Sequence, residues 1–494
     1  MLVQTRVDDA LRARLATDPH RPRYHFMPPA QWMNDPNGLI HWRGQYHLFY
    51  QHNPASAQHA DMHWGHAVSA DLVHWRHLPI ALAPTPGGPD QDGVFSGCAV
   101  DNDGVPTLVY TGVRRPDQLV CLATAADPTD PDLVAWRKDP GNPVIPATPP
   151  GVEWVAYRDP SVWREADGTW YMVHGAGIVG QGGAALLYRS TDLTAWEYLA
   201  PIRVGDVERR EPIWTGSMWE CPQLFPLGDT HVLLIAAWFS DPPRPSTHHA
   251  AYAVGAFDGR RFTPTHEAIL DVGVLYAPQT LRDDAGRRIL WGWLREGRSE
   301  EAQVAAGWSG VMSLPWILTP PTDGLIGVAP APELASLRGA HTHLADLALD
   351  SDTPQPLGAE GDCLELAVEF APGDAAEVGL SLRRSPDGAE ETRILYAFAS
   401  GRLTIDRSRS SADPSVDRTP HAALLPLAPA ETLRLRVFLD RSVIEIFANE
   451  RLTLTTRIYP TRADSLGIGL VASGGTALVR TADAWQMGTI WPDE

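Results

Sequence analysis

A chain of 494 residues is too long for one ordinary hydrophobic core, so two domains are expected. Its 60 acidic residues against 40 basic ones give a formal net charge of −20, a field that opposes nucleic-acid backbones and anionic membranes alike. The 44% hydrophobic and 20% charged content is a globular balance, and no apolar run approaches membrane-spanning length.

In chain order, the first segment (residues 1–23) has no apolar signal core, and Val7 to Ala16 reads as a short polar helix. A cytoplasmic location is the expectation. Cys98, Cys121, Cys221 and Cys363 are widely scattered, form no metal or redox spacing, and are expected to be reduced thiols.

From residue 24 to about 320 a unit repeats. Turn-then-strand stretches centre on Gly44 (RGQYHLFYQ), Gly104 (DGVPTLVYT), Gly168 (DGTWYMVHG), Gly228 (GDTHVLLIAAW) and Gly286 (AGRRILWGW), in steps of 60, 64, 60 and 58 residues. A second motif runs in phase: DLVHW ending at Trp75, DLVAW at Trp136, DLTAW at Trp196, then the weaker FDGRRF at Phe262. A fixed period in a strand-rich chain marks a repeat architecture. Five units of about four short strands fit an all-β fold, a five-bladed β-propeller.

The same place in each unit precedes the turn glycine. Asp35 in WMNDPNG lies nine residues before Gly44, Asp159 in YRDPSVW nine before Gly168, and Glu220 in WECPQLF eight before Gly228. If the strand before each hairpin is the innermost one, its opening end faces the axial funnel. The three acids then meet in one pocket, although 61 to 185 residues separate them. Alone, Asn-Asp-Pro-Asn-Gly is a hairpin turn; in phase with two further acids it reads as a site. Proline after Asp35 and Asp159 pushes each acid out of the helical region, and Asn37-Gly38 readily adopts positive φ.

Three carboxyl groups in one pocket cannot all ionise freely, and glycoside hydrolysis uses that asymmetry: one carboxylate attacks while one acid donates a proton. Asp35, with amide donors nearby, suits the nucleophile. Glu220, beside Trp219 and Cys221, is expected in a less polar setting that holds a proton. Asp159, beside Arg158, is expected to stay ionised and to hold sugar hydroxyls. The 18 tryptophans include candidate platforms for sugar rings, Trp32 and Trp219 foremost because they flank catalytic acids.

These residues resemble glycoside hydrolase family 32, the invertases, sucrose-6-phosphate hydrolases, inulinases and levanases. The matching motifs are WMNDPNG (32–38), YQHNP (50–54), WGHAVSADLVHW (64–75), FSG (95–97), YRDP (157–160), WECP (219–222) and YAPQT (276–280), with DRSVIEIFAN (440–449) similar to the family's second domain. The resemblance implies a five-bladed propeller followed by a β-sandwich, and release of terminal β-fructofuranosyl units with retention. It carries over Asp35 as nucleophile, Glu220 as acid/base and Asp159 as transition-state stabiliser, with the Asp35 and Glu220 carboxyls about 5–5.5 Å apart. Asn34, Gln51, Phe95, Ser96 and Arg158 fall where the family binds the fructosyl unit; Trp32, Trp64 and Tyr276, within matching motifs, complete the expected substrate-binding set. The chain departs from the family pattern at His59-Ala60, Cys98, Gln223 and Val274, which bears on the leaving-group side.

The Pro-rich residues 321–340 read as a linker with one short helix. Alternating runs from 363 to 448 predict the β-sandwich of residues 341–494, with a structural or oligomer-forming role. His59, His63 and His66 read as ordinary polar residues rather than metal ligands, and Cys221 as a small buried hydrophobe. No cofactor or metal is expected, nor a nucleic-acid or membrane partner; the ligand is a small sugar, and a homo-oligomer stays open. Hydrolysis of sucrose or short fructo-oligosaccharides is the first expectation. Sucrose 6-phosphate (with Arg114, Arg115, Arg209, Arg210 and Arg244 as phosphate candidates), inulin, levan or arabinan activity and a non-catalytic propeller lectin are the alternatives. An intact acid triad argues against the lectin.

Overall fold

The computed structural model describes residues 5, 7–239, 249–350 and 353–491. The expected N-terminal helix runs Asp9–Thr17, capped by the Asp8 side chain accepting from the Leu11 amide, and buries Leu11 and Leu15. Everything after it is predominantly β.

Five antiparallel sheets follow in chain order. Their leading strands are Gln31–Trp42, Val94–Asn102, Trp154–Arg164, Met218–Leu227 and Leu275–Arg282, each hairpinned through its turn glycine to a second strand. Neighbouring leading strands contact one another in cyclic order, and the fifth returns to the first. Trp308–Ser309, from the fifth unit, pairs in parallel with Gln31 and Trp32 of the first, so backbone bonds join the two ends of the ring. Between the third and fourth strands the in-phase motif acts as a turn: Asp71 and Asp192 accept backbone amides two and three residues on, and Leu72 and Leu193 adopt φ of 68° and 67°.

The stretch read as a linker is partly sheet. Trp316–Thr322 and Leu325–Pro330 are the outer strands of the fifth sheet, with Thr322 opposite Leu325. Asp323 and Gly324, both at positive φ (52° and 83°), make the two-residue turn that joins them. Pro320 and Pro321 fall at the register shift between Thr319 and Thr322, and Pro330 ends the edge strand, positions that tolerate a missing N–H. Only the 3₁₀ turn Pro332–Leu337 connects onward.

The remaining chain forms two six-stranded sheets. Alternate residues such as Leu364, Leu366 and Val368 of one, and Val378, Leu380 and Leu382 of the other, share a single core. Apolar packing also joins this unit to the ring: Phe438 and Phe447 belong to the same cluster as Trp291, Trp308 and Trp316. Asp440 reinforces the join, accepting the backbone amides of Arg23, Tyr24 and His25, each at 2.8 Å. No helix among the described residues is long and apolar enough to cross a membrane.

Candidate active site

Each leading strand loses register with its second strand at the same level. The shifts fall at Met33/Pro36, Phe95/Gly97, Arg158/Ser161, Glu220/Gln223 and Tyr276/Gln279. Such bulges bend a strand and re-aim its side chains. Asp159, Cys221 and Ala277 take positive φ there (66°, 47° and 47°), a local strain of order 1–3 kcal/mol each that the surrounding sheets must hold. Gly175 permits the close approach of the third and fourth sheets, because a Cβ there would stand 2.5 Å from the Trp219 carbonyl oxygen.

The bulges bring Asp35, Asp159 and Glu220 to the wall of one cavity of about 930 Å³. Trp32, Asn34, Gln51, Phe95, Ser96, Arg158 and Tyr276 line it as well. Ser96 Oγ donates to Asp35 Oδ2 at 2.7 Å and Asn34 Nδ2 to Oδ1 at 3.1 Å. Trp32 Nε1 in turn fixes Asn34 through its Oδ1 at 2.7 Å. Gln51 Nε2 donates to the Val94 carbonyl at 3.0 Å, tying the first sheet to the second. Burial raises the Asp35 pKa to about 6, with the Glu220 charge adding to the rise and the Ser96 and Asn34 bonds opposing it.

The other two acids differ from expectation. Burial raises the Asp159 pKa, Arg158 pulls it down, and Glu220 and Asp35 push it further up. Burial and its two acidic neighbours therefore oppose its charge, and Arg158 favours it. Arg158 sits 3.8 Å from Asp159 Oδ2 but gives its shorter bond, 3.0 Å from Nε, to Glu220 Oε1. Tyr276 donates its hydroxyl to Glu220 Oε2. The Glu220 setting is thus polar and cationic, because its neighbours in sequence face elsewhere. Trp219 is in the core, donating to the Thr215 carbonyl, and Cys221 touches the other two acids: its amide reaches Asp159 Oδ2 at 3.1 Å and its thiol Asp35 Oδ2 at 3.7 Å. Burial among these carboxylates raises the thiol pKa well above its ordinary value.

Two tryptophans expected at the sugar pocket lie behind it. Trp64 is fully buried between the first two sheets, its indole N–H donating to the Phe95 carbonyl at 3.0 Å, so it supports a lining residue rather than lining the cavity. Trp219 is 1% exposed and packs among Val173, Leu187 and Leu233. Large indoles at bulged strands fill the wedge between neighbouring sheets. Of the three histidines, His59 lines the cavity edge-on to Trp32, His63 bonds the Asp61 carbonyl, and His66 is buried against His47.

Cys98 and Gln223 likewise tie sheets together: the Val162 amide donates to Cys98 Sγ, and the Thr280 amide and hydroxyl donate to Gln223 Oε1. Of the four departures, only His59 and Val274 reach the cavity. Arg114, Arg115, Arg209 and Arg210 do not line it; Arg209 pairs with Glu267 and Arg210 lies over Trp214. Arg244 lies outside the described residues.

Further lining residues were not among those expected: Trp238 and Trp293, which end the repeat stretches of the fourth and fifth units, Gln118 from a third strand, and Arg407, His421 and Arg457 from the second unit. Gln51 and Trp293 both stand seven residues after their turn glycine, so the return strand carries a phase signal of its own. The second unit carries none, because its contribution depends on docking.

The Glycosyl hydrolases family 32 N-terminal domain matches residues 25–326 and the family's C-terminal domain residues 333–486. The chain is 35% identical over 488 residues to an Escherichia coli sucrose-6-phosphate hydrolase, covering 94% of this chain and 95% of that protein. It is 35% identical over 486 residues to an E. coli raffinose invertase, with the same coverage. Fructan 1-exohydrolase IIa from Cichorium intybus superposes with a TM-score of 0.87 at 28% identity, over 96% of this chain and 98% of that one. With both domain models matched in order and the fold shared along nearly its whole length, the chain belongs to glycoside hydrolase family 32.

Proposed function

We propose that this glycoside hydrolase is a retaining β-fructofuranosidase that releases terminal fructose from sucrose or short fructo-oligosaccharides. The five sheets are the blades of a β-propeller and the two six-stranded sheets a β-sandwich. One observation carries the reading: three carboxyl groups from three blades, each delivered by a bulge, line a single cavity. Asp35, held by Ser96 and Asn34, attacks the anomeric carbon. Glu220 gives a proton to the leaving oxygen, then takes one from the water that hydrolyses the fructosyl ester. Asp159 binds ring hydroxyls and stabilises the oxocarbenium-like transition state. The four buried, unpaired cysteines fit a reducing compartment.

The test is fructose release from sucrose, sucrose 6-phosphate, kestose, inulin and levan, measured side by side. Sucrose or kestose should be cleaved fastest. Preference for the phosphorylated sugar would shift the assignment within the family, and binding of all five without release would favour a lectin.

A further inference from the structure

We propose that the second unit carries a divalent transition-metal site formed by His341, His343 and Asp483, on the outer edge of its first sheet and away from the active-site cavity. The site is built by register. His341 and His343 alternate along the edge strand Arg338–Leu349, so both rings stand on one face. Asp483 lies directly opposite His343 on the neighbouring strand Ala477–Met487. His341 Nε2 and His343 Nδ1 each stand 2.8 Å from the same oxygen, Asp483 Oδ1. Among the described residues, this is the one group of three His, Cys, Asp or Glu residues with ligand atoms so close, all within 4.8 Å of one another.

The ligands are partly ordered without an ion. The Trp485 indole stacks with His341 at 4.8 Å and 5° and also carries the Arg338 guanidinium over its ring at 3.8 Å. That stack holds one imidazole in place while the other ligands remain solvent-accessible, with side-chain exposures of 43%, 51% and 21% for His341, His343 and Asp483. Zinc bonds near 2.0–2.2 Å in tetrahedral geometry need ligand atoms about 3.3 Å apart. Opening each nitrogen–oxygen contact by about half an ångström is a small side-chain rotation. Two imidazoles and one carboxylate favour Zn²⁺, Ni²⁺ or Cu²⁺ over Mg²⁺ or Ca²⁺, and water completes the open positions. The acidic chain raises the local cation concentration. A bound ion pins the exposed edge strand to its sheet neighbour.

Titration calorimetry of zinc chloride into the full chain at pH 7.5 tests this. The expected result is one saturable event that is absent in the double variant His341→Ala/His343→Ala and weakened in Asp483→Asn. It should also fade at pH 5.5, because a ligating imidazole must be neutral. Zinc should raise the Tm of the wild type and not of the double variant, while sucrose hydrolysis without metal is the same in both. No saturable heat up to millimolar zinc, or the same heat and Tm shift in the double variant, overturns the site.

Discussion

Arg158 Nε stands between two carboxylates of different sheets, 3.0 Å from Glu220 Oε1 and 3.8 Å from Asp159 Oδ2. The guanidinium is buried, and the two acids hold its charge firmly. It fixes the spacing of the proposed proton donor and the proposed stabiliser in a way that an ammonium, a point charge on a flexible stem, does not. Arg158→Lys should therefore lower kcat/KM on sucrose by about 100-fold, or about 2.7 kcal/mol, while preserving the fold. An unchanged kcat/KM would show that charge alone suffices there.

Asp35 as the proposed nucleophile, with its pKa of about 6, should set the acid side of the pH–rate profile. A nucleophile must be ionised, so kcat/KM should rise as pH passes through about 6. Ser96 bonds the ionised form and lowers this value. Ser96→Ala should therefore move the acid limb to higher pH; a limb that stays or moves down would sever the link between Ser96 and Asp35. Stability follows the same group with opposite sense. A folded pKa raised from 3.8 leaves the native state unpenalised below pH 3.8 and destabilised as pH rises through about 6, by up to about 3 kcal/mol. Asp35→Asn should be inactive, yet more stable than wild type to urea at pH 8, with the difference vanishing near pH 4.

The proton-donor role proposed for Glu220 is separable from that of Asp35. Glu220→Gln should cut kcat on sucrose by 10²- to 10⁴-fold, the ordinary range for removing a general acid. A fructoside with an activated aryl leaving group needs little proton help and should keep most of its fructosylation rate. Equal losses on both substrates, read from pre-steady-state release of the aryl group, would remove Glu220 from the acid position.

What the sequence disclosed here was periodicity and what it concealed was direction. Turn glycines and DLxxW motifs recur at visible intervals, so the units and the phase of Asp35, Asp159 and Glu220 could be read. The bulges that aim those acids leave no composition mark; Asp159 and Cys221 reach positive φ although neither is glycine. Trp64 and Trp219 show the limit: adjacency to a motif does not say on which side of a bulged strand an indole falls. The Pro-rich start of residues 321–340 reads as a linker because proline and glycine mark edge hairpins and linkers alike. Arg407 and Arg457 could not be foreseen in the cavity wall, since only the packing of the second unit on the ring brings them there.

The join between the two units should respond to alkaline pH. His25 is fully buried between Asp440, 2.9 Å from Nδ1, and Glu445, 3.3 Å from Nε2. Burial pulls its pKa down, but the bonds and charges of the two carboxylates outweigh that and raise it to about 9. A folded pKa above the ordinary 6.5 means that the charged imidazole contributes fully below pH 6.5. That contribution, about 3 kcal/mol for a rise from 6.5 to about 9, is lost as pH rises through about 9. Urea unfolding of the wild type should therefore show a fall in stability between pH 6.5 and 9.5. His25→Gln keeps a polar group but no titrating charge, so its profile over that interval should lack this fall. It should be less stable than wild type by roughly 3–5 kcal/mol at pH 6.5, because Asp440 and Glu445 lose their cation. If the variant retains the wild-type slope, another group carries the alkaline transition.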